Sequence, residues 1–518
     1  MPTSPTYTIG GTVSGIEAGQ SVQLQNNGRD DLTVSANGAF TFATRVTSGG
    51  AYAVTVSSLA GRTCTVAGGS GTASTNVTRV AVVCVTNPPP SDGFTVGGTV
   101  SGLVGQGLTL TIFNHVSDPY SGRTIPVEVL EIRGNGDFIF STHPTAGPLT
   151  LGLGVGKQPN SPKQRCVVTD RYQNFTITAN VTVSVVCGEF LYVTNAADNT
   201  ISAFSIDPGT GAIASAGPPV TAGSAPRAIA GSSDRKYLYI GNSGSNDVSA
   251  FSIDPKSGTL TMVPGSPFIA GTNPRAVSLF ESTLVVANTG SNDLSAYLVD
   301  RDTGVPTPSS PASYPTGAGP SALLVLAAPH SGVLITGGLN DISEFYIGGG
   351  LQQAAGPYPS GGGGGVSSLA ISNAGGLFLY AANATGAAAT ISGFSSYEPG
   401  GAAGLTPLPG FPYAVPSCSY IVADQTGAYL YATAGTNLLG YSIDAQTGAL
   451  SPLPGFPVAV GATADSVSID PTNQFLYVRN GSVGTITGFE LNGATGALSP
   501  MPGSPFAVSK TADFIATF

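Results

Sequence analysis

Short runs in which hydrophobic and polar residues alternate, separated by Gly, Asn and Pro, cover most of the chain. Two early examples are YAVTV at residues 52–56 and VTRVAVV at residues 77–83. Alternation with a period of two, bounded by Gly and Asn turns, is typical of β-strands joined in hairpins. The pattern therefore predicts an all-β protein.

The N-terminal part of the chain contains a repeat. The sequence YTIGGTVSG at residues 7–15 returns as FTVGGTVSG at residues 94–102, and NGAF at 37–40 returns as NGDF at 135–138. Each unit spans about 90 residues, the size of an immunoglobulin-like sandwich. We therefore predict two Ig-like β-sandwich modules, at residues 6–86 and 94–188, which resemble the small Ig-like modules of bacterial surface proteins.

The segments that follow the two modules differ. A Pro-rich linker, residues 87–93, separates the modules, and its triple proline favours an extended, semi-rigid spacer. After residue 188 there is almost no linker, so the second module is expected to lie directly against the next domain.

A longer repeat fills residues 189–518. A hydrophobic strand, usually containing Tyr and ending in Asn, recurs at intervals of about 46 to 51 residues. Its seven copies are LYVTN at 191–195, LYIGN at 238–242, LVVAN at 284–288, VLITG at 333–337, LYAAN at 379–383, LYATA at 430–434 and LYVRN at 476–480. Each unit has room for four short strands, which predicts a seven-bladed β-propeller. The final segment, 513–518, matches a fourth strand and can complete the first blade.

The Tyr strand, the Asp-Pro turn at 254–255 and the PGSPF sequence at 264–268 resemble the seven-bladed YVTN and lactonase-family propellers. This resemblance implies an Arg-His pair, a Glu and further His residues at the mouth of the central channel. At the matching positions the chain has Arg227-Ala228 and Arg275-Ala276, so Arg is retained and His is replaced by Ala.

The other residues that the resemblance implies are also replaced. Where the family has Asn-Glu, this chain has Asn242-Ser243 and Asn288-Thr289. The three histidines of the chain, two in the second module and one in a predicted turn, are not expected to serve as a general base; they are His115, His143 and His330. If the propeller is a lactonase, Arg227 and Arg275 are therefore the residues expected to carry its activity.

Aligning the seven innermost strands on the position after the usual Pro predicts a ring of polar side chains at the channel mouth. The ring consists of Arg227, Arg275, Ser321, Ser367, Ser419, Asp465 and Asp513. Ring closure places two acids beside two bases, followed by three hydroxyls. Either Arg227 and Asp513 pair across the closure seam, or the ring binds a polar ligand. Asp424 is assigned to an outer turn.

The cysteines predict two disulfides. Cys64 and Cys84, and Cys166 and Cys187, form two pairs about 20 residues apart in the two repeated modules, whereas Cys418 is expected to be a free, buried thiol. Disulfides point to an oxidising compartment. The first residues, MPTSP, lack the basic and apolar regions of a signal peptide, as expected if a leader has been removed.

The charge of the chain and the motifs it contains limit the classes of function that are expected. Only 9% of residues are charged and the net charge is −10, which is unfavourable for nucleic-acid binding. No membrane span, metal site or cofactor motif is predicted. We interpret the chain as a secreted or cell-surface bacterial protein with a binding or structural role, and expect a protein or glycan surface partner, or copies of itself. The alternative is a lactonase-family enzyme that hydrolyses or forms a sugar-acid lactone.

Overall fold

A computed structural model describes most of the chain. The described residues are 5–16, 21–28, 30–56, 62–86, 94–114, 125–142, 150–169, 175–176, 180–326, 332–347, 351–361, 365–373, 377–384, 389–396, 404–481 and 483–518. Within these ranges the ordered elements are strands and no helix is present, so the all-β prediction is confirmed. The predicted linker and the histidines His115, His143 and His330 lie outside the described residues.

The first module contains ten strands. They are β1 Thr6–Tyr7, β2 Ile9–Ser14, β3 Val22–Asn26, β4 Asp30–Val34, β5 Gly38–Thr41, β6 Val46–Thr47, β7 Ala51–Val56, β8 Arg62–Ala67, β9 Ser70–Thr72 and β10 Val77–Thr86. They form two four-stranded sheets, in the orders β5-β2-β10-β8 and β4-β3-β7-β9, and a small β1-β6 pair. Buried residues of both large sheets, including Val13 of β2 and Leu24 of β3, share one hydrophobic core.

The second module repeats this topology with eight strands. They are β11 Val96–Ser101, β12 Leu108–Asn114, β13 Ile125–Ile132, β14 Gly136–Ile139, β15 Thr150–Lys157, β16 Cys166–Val168, β17 Phe175–Thr176 and β18 Val181–Cys187. The sheets run β14-β11-β18-β16 and β13-β12-β15-β17. In both modules the first and last strands of one sheet pair in parallel, β2 with β10 and β11 with β18.

Both predicted disulfides are present, and each joins neighbouring strands of one sheet. Cys64 faces Cys84 across β8 and β10, and Cys166 faces Cys187 across β16 and β18. Antibody domains instead join their two sheets with the disulfide. The modules thus depart from that arrangement, and their Ig-like relationship stays a prediction. Cys418 is free and buried, as predicted.

The propeller consists of seven four- or five-stranded sheets. Blade 1 contains β19 Glu189–Asn195, β20 Thr200–Ile206, β21 Ile213–Ser215 and β22 Val220–Thr221. Blade 2 contains β23 Pro226–Gly231, β24 Tyr237–Asn242, β25 Asp247–Ile253, β26 Leu260–Met262 and β27 Phe268–Ile269. Blade 3 contains β28 Pro274–Phe280, β29 Thr283–Asn288, β30 Asp293–Val299 and β31 Pro306–Pro315. Blade 4 contains β32 Ala322–Leu326, β33 Gly332–Gly337, β34 Asp341–Ile347 and β35 Leu351–Pro359.

The last three blades follow the same plan. Blade 5 contains β36 Val366–Ser372, β37 Phe378–Asn383, β38 Thr390–Ser396, β39 Leu405–Pro407 and β40 Tyr413–Ala414. Blade 6 contains β41 Ile421–Ala423, β42 Tyr429–Ala434, β43 Asn437–Ile443, β44 Leu450–Pro452 and β45 Val458–Ala459. Blade 7 contains β46 Ala464–Ile469, β47 Phe475–Asn480, β48 Thr485–Leu491, β49 Leu498–Pro500 and β50 Phe506–Ala507.

The two ends of the propeller sequence meet in blade 1. The final strand, β51 Ala512–Thr517, pairs antiparallel with β19 and becomes the inner strand of that blade. The inner strands β51, β23, β28, β32, β36, β41 and β46 each contact the next around the channel, and β46 contacts β51. The ring therefore closes through main-chain hydrogen bonds between the start and the end of the domain.

The recurrent Tyr of the second strand links neighbouring blades. In five blades its hydroxyl donates to the carbonyl of a Gly in the turn after the third strand of the next blade. The pairs are Tyr192–Gly258, Tyr239–Gly304, Tyr380–Gly448, Tyr431–Gly496 and, across the closure seam, Tyr477–Gly211. Val285 and Leu334 occupy this position in blades 3 and 4 and have no hydroxyl to donate.

The recurrent Asn at the end of the same strand ties the second strand to the third. Asn242, for example, is fully buried, and its Nδ2 donates to Asp247 and to Ser249 at 2.7 and 2.9 Å. Asn195, Asn288, Asn383 and Asn480 make equivalent bonds. The repeat that marks the propeller in sequence is therefore a set of buried polar residues that fix the blades.

The second module contacts one face of the propeller. Arg235, in the β23–β24 loop, donates to the Gly188 carbonyl, and Gln474, in the β46–β47 loop, donates to the Lys163 carbonyl at 3.2 Å. Both loops follow inner strands, so the module lies on the face where the inner strands end. The face where they begin is the opposite one.

Candidate functional site

A cavity of about 670 Å³, called here the mouth cavity, opens on the face where the inner strands begin. The structure brings all seven predicted ring residues to its wall. They are Arg227, Arg275, Ser321, Ser367, Ser419, Asp465 and Asp513. In blades 1, 2, 3, 5 and 7 the ring residue is the unpaired residue of a β-bulge at the start of the inner strand, whereas Ser321 and Ser419 lie just before the inner strands of blades 4 and 6.

Arg227 and Asp513 pair across the closure seam. The distance from Arg227 Nη1 to Asp513 Oδ2 is 3.2 Å, and the two side chains are 38% and 27% exposed. The pair is therefore partly desolvated and connects the inner strands of blades 1 and 2. Asp513 neutralises Arg227 at the mouth.

Asp465 has a partner that the sequence alignment missed. Arg479, on the second strand of blade 7, lines the mouth cavity, forms an ion pair with Asp465 and donates to the Ala512 carbonyl. Its side chain is almost fully buried. The available signal was that Arg479 is the sole Lys or Arg between Asp302 and Gly481.

The environment of Asp465 favours its protonated form more than water does. Burial raises the pKa of Asp465, the nearby Asp513 adds to this increase, and Arg479 opposes it. Oδ1 of Asp465 is buried and has no hydrogen-bond partner, whereas Oδ2 contacts Arg479. The Asp465 side chain is 32% exposed, so part of it faces the mouth cavity.

Among the described residues that line the mouth cavity, Arg275 is the arginine without an ion pair. It is exposed to the mouth cavity, and within the described residues its guanidinium has neither an acidic partner nor a hydrogen bond. Partial desolvation and the nearby Arg227 lower the pKa of Arg275, and Asp513 opposes that shift. Arg275 remains a charged fork of donors facing the cavity.

The mouth cavity is also lined by hydroxyl groups, of Thr289 in the blade of Arg275 and of serines in the blades that follow. Ser321 donates to the Val366 carbonyl at 2.6 Å, Ser367 donates to a second main-chain carbonyl, and Thr289 donates to a third at 2.6 Å. Each of these hydroxyl protons is thus already used. The oxygens keep lone pairs that can accept hydrogen bonds from a ligand.

An apolar floor, formed by Ile229, Leu369, Tyr420 and Phe514, separates the mouth cavity from a second cavity of about 470 Å³ at the other end of the channel. The rings of Tyr420 and Phe514 lie 5.5 Å apart, edge to face. Burial raises the pKa of Tyr420 to about 12, so its phenol stays neutral.

The second cavity corrects the assignment of Asp424. This residue lines the second cavity and is only 4% exposed. Its carboxylate accepts hydrogen bonds from the Thr426 hydroxyl and the Tyr429 amide, so it is a buried turn residue and not an outer one.

The family's His and Glu positions carry no titratable side chain here. Ala228, Ala276 and Thr289 line the mouth cavity, while the Ser243 hydroxyl is bonded to the Ala225 carbonyl. Among the described residues, no group of three His, Cys, Asp or Glu side chains is arranged to hold a metal ion. None of them forms a helix long and apolar enough to cross a membrane.

Comparisons with known proteins agree with this architecture. The family model "Lactonase, 7-bladed beta-propeller" matches residues 162–270. The propeller has the seven-bladed lactonase fold. No curated protein matches the chain significantly.

Solved structures with this fold include three bacterial propellers. A candidate 6-phosphogluconolactonase of Bacteroides fragilis has a TM-score of 0.52 at 19% identity, and one of Bacteroides uniformis has 0.53 at 17%. The periplasmic gluconolactonase of Pseudomonas aeruginosa has 0.51 at 19%. Each match covers 64% of this chain and at least 98% of the other protein.

Proposed function

We propose that the lactonase-fold propeller hydrolyses a sugar-acid lactone, or forms one, in the mouth cavity. The observation that carries this proposal is the placement of Arg275 and Asp465 in one cavity, with Arg275 free to bind an anionic oxygen and Asp465 able to exchange a proton. The cavity faces away from the second module, so a small molecule can enter from solvent.

The reaction needs a group that stabilises an oxyanion and a group that moves a proton. Water adds to the lactone carbonyl, its proton leaves, and the tetrahedral oxyanion collapses with cleavage of the ring C–O bond. The released alkoxide takes the proton held by the base, and the carboxylic acid that forms releases its own proton to solvent, so the product is the carboxylate of a hydroxy acid. A guanidinium stabilises the oxyanion by charge-assisted hydrogen bonds.

In this proposal Arg275 binds the carbonyl oxygen and Asp465 accepts the proton of the attacking water. A base functions best when its pKa lies near the working pH, and burial shifts the pKa of Asp465 in that direction. Arg479 holds the carboxylate in place.

A second candidate is a binding head without turnover, the first interpretation of the sequence. It is favoured by Ala228 and Ala276, which stand where the family's His residues would lie. In this alternative, the mouth cavity holds a polar group of a protein or glycan partner, or of another copy of the chain. The two disulfides favour an extracytoplasmic, secreted or surface location for either candidate.

Turnover separates the two candidates. Hydrolysis of a panel of aldono- and uronolactones would be followed by NMR against the uncatalysed rate. We expect turnover that falls about 100-fold or more in Arg275→Gln and in Asp465→Asn. The exposed Glu490→Gln is the control and should keep full activity. Wild-type rates equal to the uncatalysed rate on every lactone would refute the enzyme and favour the binding head.

A further inference from the structure

The mouth cavity carries a small and defined net charge. The described residues that line it include three arginines, Arg227, Arg275 and Arg479, and two acids, Asp465 and Asp513. Two of the arginines are held in ion pairs with the two acids. With both carboxylates ionised, the site has one positive charge in excess, and that charge is on Arg275.

One unpaired guanidinium matches one ligand carboxylate. The planar fork of Arg275 can donate two parallel hydrogen bonds to a carboxylate. A phosphate dianion brings a second negative charge, and the other arginines that line the cavity are already neutralised by acidic partners. To recruit Arg227, a ligand would have to displace Asp513 and leave that carboxylate unpaired, which is costly at a partly buried site.

The hydroxyl wall selects the rest of the ligand. Ser321, Ser367 and Thr289 donate their hydroxyl protons to main-chain carbonyls and can offer only acceptor oxygens. Ser419 makes no hydrogen bond within the described residues and can donate as well as accept. A ligand that presents hydroxyl protons satisfies those oxygens, whereas one that presents only acceptors does not. The apolar floor confines the ligand to the mouth cavity.

We infer that the mouth cavity selects a singly charged, unphosphorylated sugar acid, with its carboxylate on Arg275 and its hydroxyls on the serine and threonine oxygens. This inference rests on the proposed function for the choice of site and names the acid that is the product of hydrolysis or the substrate of lactonisation. It concerns binding, so it can be tested without turnover.

The test measures the affinity of the full chain for three related compounds by calorimetry at neutral pH. Gluconate carries one carboxylate, glucitol is its neutral counterpart, and 6-phosphogluconate adds a phosphate. We expect gluconate to bind about tenfold more tightly than glucitol, the effect of one charge-assisted contact. 6-Phosphogluconate should bind no more tightly than gluconate.

Two variants separate charge from fold. Arg275→Gln should reduce the affinity for gluconate to that for glucitol and leave glucitol unchanged. Asp513→Asn releases Arg227 and should raise the affinity for 6-phosphogluconate relative to gluconate by about tenfold. Arg133→Gln, on an exposed side chain of the second module, is the matched control and should change none of the three affinities.

Each outcome supports or overturns the binding inference, the proposed hydrolase or both. Tighter binding of 6-phosphogluconate than of gluconate by the unmodified protein, equal binding of gluconate and glucitol, or no binding of any compound overturns the inference. Selective gluconate binding without turnover of any lactone supports it and refutes the proposed hydrolase. Turnover of phosphorylated lactones alone supports the hydrolase and refutes the inference.

Discussion

Arg227 and Asp513 are 286 residues apart in the chain, yet their side chains meet at 3.2 Å where the propeller closes. The contact joins blade 2 to the strand that completes blade 1. It therefore acts on ring closure as well as on the charge of the mouth cavity.

Removing one partner of this contact should destabilise the propeller. Asp513→Ala leaves Arg227 partly buried and unpaired, and we expect a loss of about 1–2 kcal/mol in the free energy of unfolding, more than for an exposed pair. Chemical denaturation of Asp513→Ala, Arg227→Ala and the double variant measures the coupling energy between the two side chains. Glu490→Ala, on an exposed side chain of blade 7, is the control. Additive losses in the double variant would show that the pair does not stabilise closure.

The Tyr–Gly bond at the seam gives a second test. Tyr477→Phe removes the hydroxyl that donates to the Gly211 carbonyl and leaves a buried acceptor without its partner. We expect a loss of about 1–3 kcal/mol. Tyr346→Phe, at a residue whose hydroxyl makes no hydrogen bond within the described part of the chain, should cost less than 0.5 kcal/mol, about the effect of a neutral surface substitution. Equal losses in the two variants would contradict a specific role for the seam bond.

Much of the fold could be predicted from the sequence repeat, because each repeat contains the residues that its own strands and turns require. Alternation specifies strands, the period specifies blades, and aligning the inner strands places residues as distant as Arg227 and Asp513 in one cavity. The Tyr was recognisable as a marker, but its partner was not, since the acceptor Gly lies in a turn of the next blade. Packing between blades leaves no signal in a single strand.

Arg479 and Asp424 show the same limit within the site. Arg479 is on a second strand, outside the aligned position, and reaches the mouth because Gly481 leaves room beside Asp465. In the sequence Asp424 has the features of a polar turn residue. In the structure its carboxylate is buried and accepts four hydrogen bonds, from Thr426 N and Oγ1, Tyr429 N and Asn473 Nδ2. Polar identity alone does not reveal burial.

Gly481 provides a test of the Arg479–Asp465 pair. A Cβ at this position would overlap Asp465 Oδ2 and lie 3.0 Å from Arg479 Nη2, so Gly481→Ala must displace the carboxylate. We expect at least a tenfold loss of ligand affinity or turnover, of the order of one charge-assisted contact. Gly134→Ala, where a Cβ meets no atom within 4 Å, is the matched control. Unchanged function in Gly481→Ala would exclude a role for the position of Asp465.

The disulfides should stabilise the modules and not the propeller. Each closes a loop of about 20 residues, which the chain-entropy model values at about 3 kcal/mol. The Cys64→Ala/Cys84→Ala variant should lower the melting temperature of the first module, measured by calorimetry, and leave that of the propeller unchanged.

Cys418 should react with iodoacetamide only after denaturation, because its thiol is buried. Rapid alkylation of the native protein would contradict that burial.

We expect Glu189, near the module–propeller junction, to make the free energy of unfolding depend on pH. Its side chain is 5% exposed and lies near Asp470, Arg235 and Arg165. Burial, together with Asp470, raises the pKa of Glu189 to about 8, while Arg235 opposes the shift. Below about pH 4.5 the folded and unfolded chains both hold the proton.

Between about pH 4.5 and 8 the unfolded chain releases this proton and the folded protein keeps it, so the free energy of unfolding falls as pH rises. The slope from this group is at most about 1.4 kcal/mol per pH unit. Glu189→Gln cannot ionise and should therefore match the unmodified protein near pH 4.5 and exceed it increasingly towards pH 8. Thermal unfolding at pH 4.5, 6 and 8 measures the difference. For Glu490→Gln, the difference in stability from the unmodified protein should be the same at all three pH values. If the stability of Glu189→Gln also ran parallel to that of the unmodified protein, Glu189 would be ionised in the folded protein.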